Sequence, residues 1–203
     1  LKKITQHEDL SADDYIEMIR VSAKVNERRG LLRLAKHDLE KLVENWKGQA
    51  SKLGPAYVDL AELHYKGGAY KTAADYVDHA AESLAQVQEQ DPELDLRMRR
   101  LKGDILVQQG QEMAAVEAYL GVLDSYESKM PLGSLRFKVG DLLYARGDVK
   151  GAETIWQGLA DNDSLYKTLA QEKLTRAKWQ DEYQRYVDRI PAASSINARE
   201  KSQ

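Results

Sequence analysis

One frame of residues returns four times along this chain, centred on Gly30, Gly68, Gly110 and Gly147 at separations of 38, 42 and 37 residues. Seven positions before each glycine stand Ala23, Ala61, Gly103 and Gly140, and five after stand Ala35, Ala73, Ala115 and Ala152. Nine after stand Leu39, Val77, Tyr119 and Trp156, and twelve after stand Leu42, Ala80, Val122 and Leu159. A return at a period of this size marks a chain built from copies of one supersecondary unit. The residue types identify the unit. Two antiparallel helices approach closely only where facing side chains are small, and a glycine at the first helix's end supplies a left-handed turn. The larger residue nine positions on is expected to fill the space between neighbouring hairpins.

Local signals agree that these segments are helices. The four prolines stand at helix starts and stops: Gly54-Pro55, Asp91-Pro92, Met130-Pro131 and Ile190-Pro191. Asp91 and Ser11 are expected N-caps, with Leu10 and Tyr15 spaced as a hydrophobic staple around Ser11. No alternating, β-branched run supports a strand. The expected fold class is all-α, an α-solenoid of antiparallel helix hairpins.

Residues 13–163 resemble the tetratricopeptide repeat (TPR) family. Tyr57, Leu60, Ala61, Gly68, Tyr70, Ala73 and Ala80 in the second unit, and Gly140, Ala152 and Trp156 in the fourth, fall on its signature positions. Lys102, Ser22, Asn26 and His64 depart from it, and each unit exceeds the family's common period, which places extra residues in second helices or in connections such as Gln88–Asp91. The expected organisation is a lead-in over 1–12, four hairpins over 13–163, a degenerate fifth unit or capping helix over 164–191, and a mobile tail over 192–203. Charged Lys173, Arg176, Lys178, Asp181, Glu182 and Arg185 suit the polar outer face of a solenoid cap. Trp46, Trp156 and Trp179 are expected as core or inter-repeat wedges.

The resemblance implies a right-handed superhelix whose first helices line a concave groove for a segment of another protein. Positions ten, six and three before each glycine would face it: Arg20, Lys24 and Glu27; Val58, Glu62 and Tyr65; Arg100, Asp104 and Val107; Phe137, Asp141 and Tyr144. Glu62, Asp104 and Asp141 form an acidic row beside Tyr65, Phe137 and Tyr144, which favours a partner with basic and apolar anchors. Arg20, Lys24 and Arg28 make the first unit basic. The alternative is a solvated face whose charges pair locally with Arg97, Arg100 or Lys138. Some family members hold a partner's terminal carboxylate with lysine and asparagine. The matching positions here, among them Arg20, Lys24, Asp59, Arg97 and Leu101, do not reproduce that clamp.

Other functions find no support. A net charge of −3 argues against nucleic acid as the main partner. No apolar run approaches the roughly 20 residues of a membrane span. The absence of cysteine excludes thiolate chemistry and disulfides. His64 with Asp75 or His79 has the elements of a metal or acid–base pair, but zinc-ligand spacing is missing and a histidine replacing a core tyrosine is the simpler account. No phosphate loop or nucleophile elbow occurs; Lys66–Tyr70 is a repeat turn. The expectation is a non-catalytic protein-binding scaffold without cofactor or metal. Two alternatives stand beside it: a structural subunit that self-associates or packs into a complex through its repeats or C-terminal helix, and an accessory domain of a larger enzyme or membrane-anchored protein. The chain begins at Leu1 rather than Met, which leaves a removed leader open. The cysteine-free composition and the ending "YQRYVDRIP" resemble bacterial envelope-associated repeat proteins, which implies an envelope or periplasmic location, the cytoplasm being the alternative.

Overall fold

A computed structural model describes residues 11–87 and 91–189. His7, the staple residue Leu10, the Ile190-Pro191 stop, the tail over 192–203 and most of the Gln88–Asp91 connection lie outside them. The described residues form nine α-helices: α1 (Ala12–Arg28), α2 (Leu32–Asn45), α3 (Gly54–Lys66), α4 (Tyr70–Leu84), α5 (Pro92–Gln108), α6 (Glu112–Tyr126), α7 (Gly133–Ala145), α8 (Val149–Gln157) and α9 (Ser164–Arg189). Among the described residues there is no strand, so the fold is an all-α helical repeat of the solenoid class. No helix among them is long and apolar enough to cross a membrane. The chain divides into two compact units at Tyr126/Glu127, the first holding α1–α6 and the second α7–α9.

The four glycines sit between the helices of four hairpins, with φ of +76°, +76°, +74° and +85°. Each turn makes the same two hydrogen bonds. Gly68 N donates to Tyr65 O at 3.0 Å and Ala69 N to His64 O at 2.9 Å, and Gly147 and Asp148 repeat this on Tyr144 O and Leu143 O at 2.9 and 3.0 Å. This is the Schellman termination, which satisfies carbonyls the helix end leaves open and requires the left-handed φ that glycine adopts without strain. Side-chain caps define other ends. Ser11 Oγ accepts from Asp14 N at 3.2 Å, Asp91 Oδ1 from Glu93 N at 2.9 Å, and Asp148 Oδ1 from Gly151 N at 2.9 Å.

Inside each hairpin the small residue and the large one meet each other. The Tyr119 ring lies on Gly103 and the Trp156 ring on Gly140, with no room at either glycine for a side chain. Trp156 Nε1 donates to Phe137 O at 3.1 Å, and both Tyr119 and Trp156 are buried. In these two hairpins the large residue therefore fills the contact within its own hairpin, because glycine leaves a ring-sized recess on the first helix, whereas Leu39 and Val77 share their core clusters with the first helix of the next hairpin. Where the small residue is alanine, as at Ala23 and Ala61, the opposing side chain is aliphatic, Leu39 or Val77.

In the first unit α3 carries the core on two faces. Ala56, Leu60 and Leu63 join the α1/α2 residues, while Val58 and Ala61 join α4 and α5. Val58 is 0% exposed, so it is a core residue and not a groove-facing one. Burial on both sides is what places it there. The extra residues of the first interval form a 3₁₀ segment, Lys47–Lys52, tied to α4 by the Ser83 hydroxyl, which donates to Ala50 O at 2.5 Å.

In the second unit α9 is one uninterrupted helix, since Ala177 stands where the frame would place a turn glycine. Its Ala170, seven positions earlier and in register with Ala23 and Ala61, is the buried residue of the helix. Trp179 is 69% exposed and is no wedge. With no turn at Ala177, no second helix among the described residues folds back over it.

Candidate functional site

The face shared by α1, α3 and α5 is organised around one buried carboxylate. Asp59 on α3 accepts from Arg20 Nε of α1 at 2.7 Å through Oδ2 and from Arg97 Nη2 of α5 at 3.0 Å through Oδ1. Arg97 also donates to Glu62 Oε1, with Nη2 at 2.8 Å and Nε at 3.1 Å. Arg20 reaches Glu17 at 2.5 Å, and Lys24 Nζ stands 3.9 Å from Asp59 Oδ1. A carboxylate this buried is tolerated only when fully paired, and two guanidinium groups supply that pairing. Burial alone would lower the Arg97 pKa, but the Glu62 and Asp59 carboxylates reverse this and raise it above its ordinary value. The network ties three successive first helices together. It also occupies Arg20 and Arg97, two of the positions at which a carboxylate clamp would sit.

Beside this network opens a cleft of about 420 Å³ between α3 and α5. Glu62, Tyr65, Arg100 and Asp104, four of the residues expected from sequence, line it. Five others complete the lining: Lys66, Glu93, Leu96, Arg97 and Leu101. These fall outside the ten–six–three register. Glu93, Leu96 and Arg97 belong to the first turns of α5, which has 17 residues against 13 in α3. The Asp91-Pro92 cap announces that longer helix in the sequence. Asp104 Oδ1 accepts from the Tyr119 hydroxyl at 2.5 Å, which together with burial raises the Tyr119 pKa well above its ordinary value. Tyr65 lies against Tyr70 with ring centroids 5.6 Å apart, and burial raises its pKa too. Lys66 pairs with Glu27 of α1.

A solved structure with this architecture is that of YrrB, described as a TPR protein with an unusual peptide-binding site. The two agree with a TM-score of 0.51 and 19% identity over 68% of this chain and 63% of that one. The protein has the tetratricopeptide-repeat fold. The match spans less than two thirds of YrrB's length. No family model matches the sequence, and no curated protein matches it.

In the TPR frame of the second unit, the expected residues Phe137, Asp141 and Tyr144 lie on α7 against α8 and α9. Phe137 stacks on Trp156 at 5.8 Å and meets Tyr166 of α9 at 5.6 Å, while Tyr144 meets Trp156 at 5.9 Å. Lys173 of α9 pairs with Asp141 at 2.5 Å and stands 5.4 Å above the Tyr144 ring. Lys173 is thus turned to α7 and is not part of an outward polar face.

His64 is wedged between the helices of its hairpin, stacked on Tyr76 at 5.3 Å, with Nε2 3.7 Å from Glu40 Oε1. That separation is too long for a hydrogen bond, and both ring nitrogens are buried without one. Burial first, then the Lys36 charge, lowers its pKa from 6.5, with Glu40 opposing. His79 pairs instead with Glu82 at 3.8 Å. Among the described residues no group of three or more His, Asp or Glu is placed to hold a metal.

Proposed function

We propose that this chain is a non-catalytic scaffold that binds a segment of another protein in the α3–α5 cleft. The observation that carries this reading is the cleft itself, an open recess whose walls belong to two neighbouring first helices held in register by the Arg20–Asp59–Arg97–Glu62 network. Arg97 is engaged by Asp59 and Glu62, Lys66 by Glu27 and Asp104 by the Tyr119 hydroxyl, so among the lining carboxylates it is Glu93 that favours a basic anchor, with the opposite charge of Arg100 in the same lining to orient it. Tyr65 and Leu96 offer a surface for an apolar one. YrrB, with its peptide-binding site, supports a peptide as the class of partner. A place in a bacterial envelope complex is supported by composition and by the ending of the chain.

Peptides selected from a random library against the intact chain test the reading. The expected binders combine Lys or Arg with an aromatic or aliphatic residue, and lose about tenfold in affinity, roughly 1.4 kcal/mol, with Tyr65→Ala or Glu93→Lys. Peptides ending in a run of acidic residues are expected not to bind. Selected peptides indifferent to both substitutions, in variants of unchanged helicity, remove the cleft from the reading. A second reading, a subunit that packs through its C-terminal helix, is favoured by the exposed apolar residues of α9.

A further inference from the structure

The exposed apolar side chains of α9 are not scattered. Five of its six exposed large apolar residues, Leu165, Leu169, Trp179, Tyr183 and Tyr186, are 64, 36, 69, 66 and 65% exposed, and the sixth, Val187, lies off their spacing. With Glu172 and Arg176, both exposed, the five follow a strict alternation of four- and three-residue steps: 165, 169, 172, 176, 179, 183, 186. That spacing is the seam of a coiled coil, in which one stripe of a helix faces a partner helix along its length. The other side of α9 is already used. Ala170 is buried, and Tyr166 and Lys173 contact α7. The seam thus runs along a separate stripe that no element among the described residues of the second unit covers, beginning beside the in-frame first-helix residues and continuing past Ala177, where the turn is missing.

We propose that this seam pairs with the same seam of a second copy, antiparallel about a two-fold axis between Glu172 and Arg176. In that register Leu165 lies opposite Tyr183 of the second copy, Leu169 opposite its Trp179, and Glu172 opposite its Arg176, with each pairing repeated in reverse. Six layers spanning about 27 Å of helix are matched, apolar with apolar and acid with base. The two charges select this arrangement. A parallel pairing sets Glu172 against Glu172 and Arg176 against Arg176, and sliding the antiparallel helices by one layer leaves both without a counter-charge. Within the chain, among the described residues, neither Glu172 nor Arg176 has an ion pair. A seam with a self-complementary charged centre is the form an isologous contact takes. The central ion pairs fix register as well as contributing attraction, as polar residues at seam positions do.

Sedimentation of the full chain over about 1 to 500 μM, the range in which a short interface dissociates, tests the proposal. The expected result is a mass rising toward twice the 23.0 kDa of one chain. Glu172→Arg alone and Arg176→Glu alone each place like charges opposite one another twice, and each should weaken the dimer by about tenfold or more. The double variant Glu172→Arg/Arg176→Glu restores every pair with its sign reversed, and should recover the original affinity within a few-fold. Both side chains are exposed, so circular dichroism should be unchanged in all three. A 23.0 kDa species at every concentration overturns the proposal and assigns the seam to a different occupant. A dimer that tolerates both single reversals, or that the double variant does not rescue, overturns it by placing the interface elsewhere.

Discussion

Gly103→Ala sets two effects of known size against each other. Helix propensity alone makes the change favourable by about 1 kcal/mol, since glycine inside a helix carries excess backbone entropy. Packing opposes it. A methyl group at Gly103 would lie within 2.7 Å of three ring carbons of Tyr119, where ordinary contact begins at 3.4 Å. The ring has no escape, being fully buried with its hydroxyl held by Asp104 at 2.5 Å. Overpacking of this kind costs about 1–3 kcal/mol, and the overlap with a whole ring face puts it near the upper end. The expected net effect is a destabilisation of about 1–2 kcal/mol, read from urea unfolding with an unchanged m-value. Tyr119→Leu alone should also destabilise, by opening a cavity. The double variant recreates the Ala23–Leu39 pairing of the first hairpin, so it should be at least about 1 kcal/mol more stable than the two single effects summed. A Gly103→Ala variant stabilised by about 1 kcal/mol refutes the argument, because propensity would then be the only effect at work.

Three further outcomes follow from other parts of the structure. Gly110→Ala has nothing within 4 Å but a φ of +74°, so it should cost about 1–2 kcal/mol from backbone strain alone, and thermal melts should find Gly110→Asn milder. Asp59→Asn removes the charge that Arg20 and Arg97 share across three helices, and chemical denaturation should show a loss of about 3 kcal/mol; a loss under 1 kcal/mol would mean that the network is dispensable. His64 has a folded pKa below 6.5, so the unfolded chain binds its proton more readily. The stability it contributes is present above pH 6.5 and falls away as pH drops through that value toward the folded pKa. His64→Tyr should therefore flatten the decline in urea midpoint between pH 7.5 and 5, and an unchanged slope would show that His64 does not drive it.

The hairpins were legible because each rests on a local requirement. A glycine in the left-handed region, a small residue seven positions before it and a larger one nine after must recur wherever the same turn and crossing recur, so spacing alone reveals them. Four residues of the α3–α5 cleft were legible for the same reason, being set by helical register. Register does not report depth, which is why Val58 reads as a groove position although α3 is covered on both sides.

What the sequence by itself determined, then, was the unit: the four turns, the size-matched contacts and the all-helical class, each a consequence of backbone geometry and side-chain volume within one hairpin. The tertiary structure decided the electrostatics and the free surfaces. Arg20, Asp59, Arg97 and Glu62 are 35 to 39 residues apart across their cross-helix contacts, so their pairing exists only once the hairpins stack. The exposed seam of α9 likewise depends on which stripe α7 and α8 cover, since a heptad spacing becomes a surface only when nothing in the fold buries it.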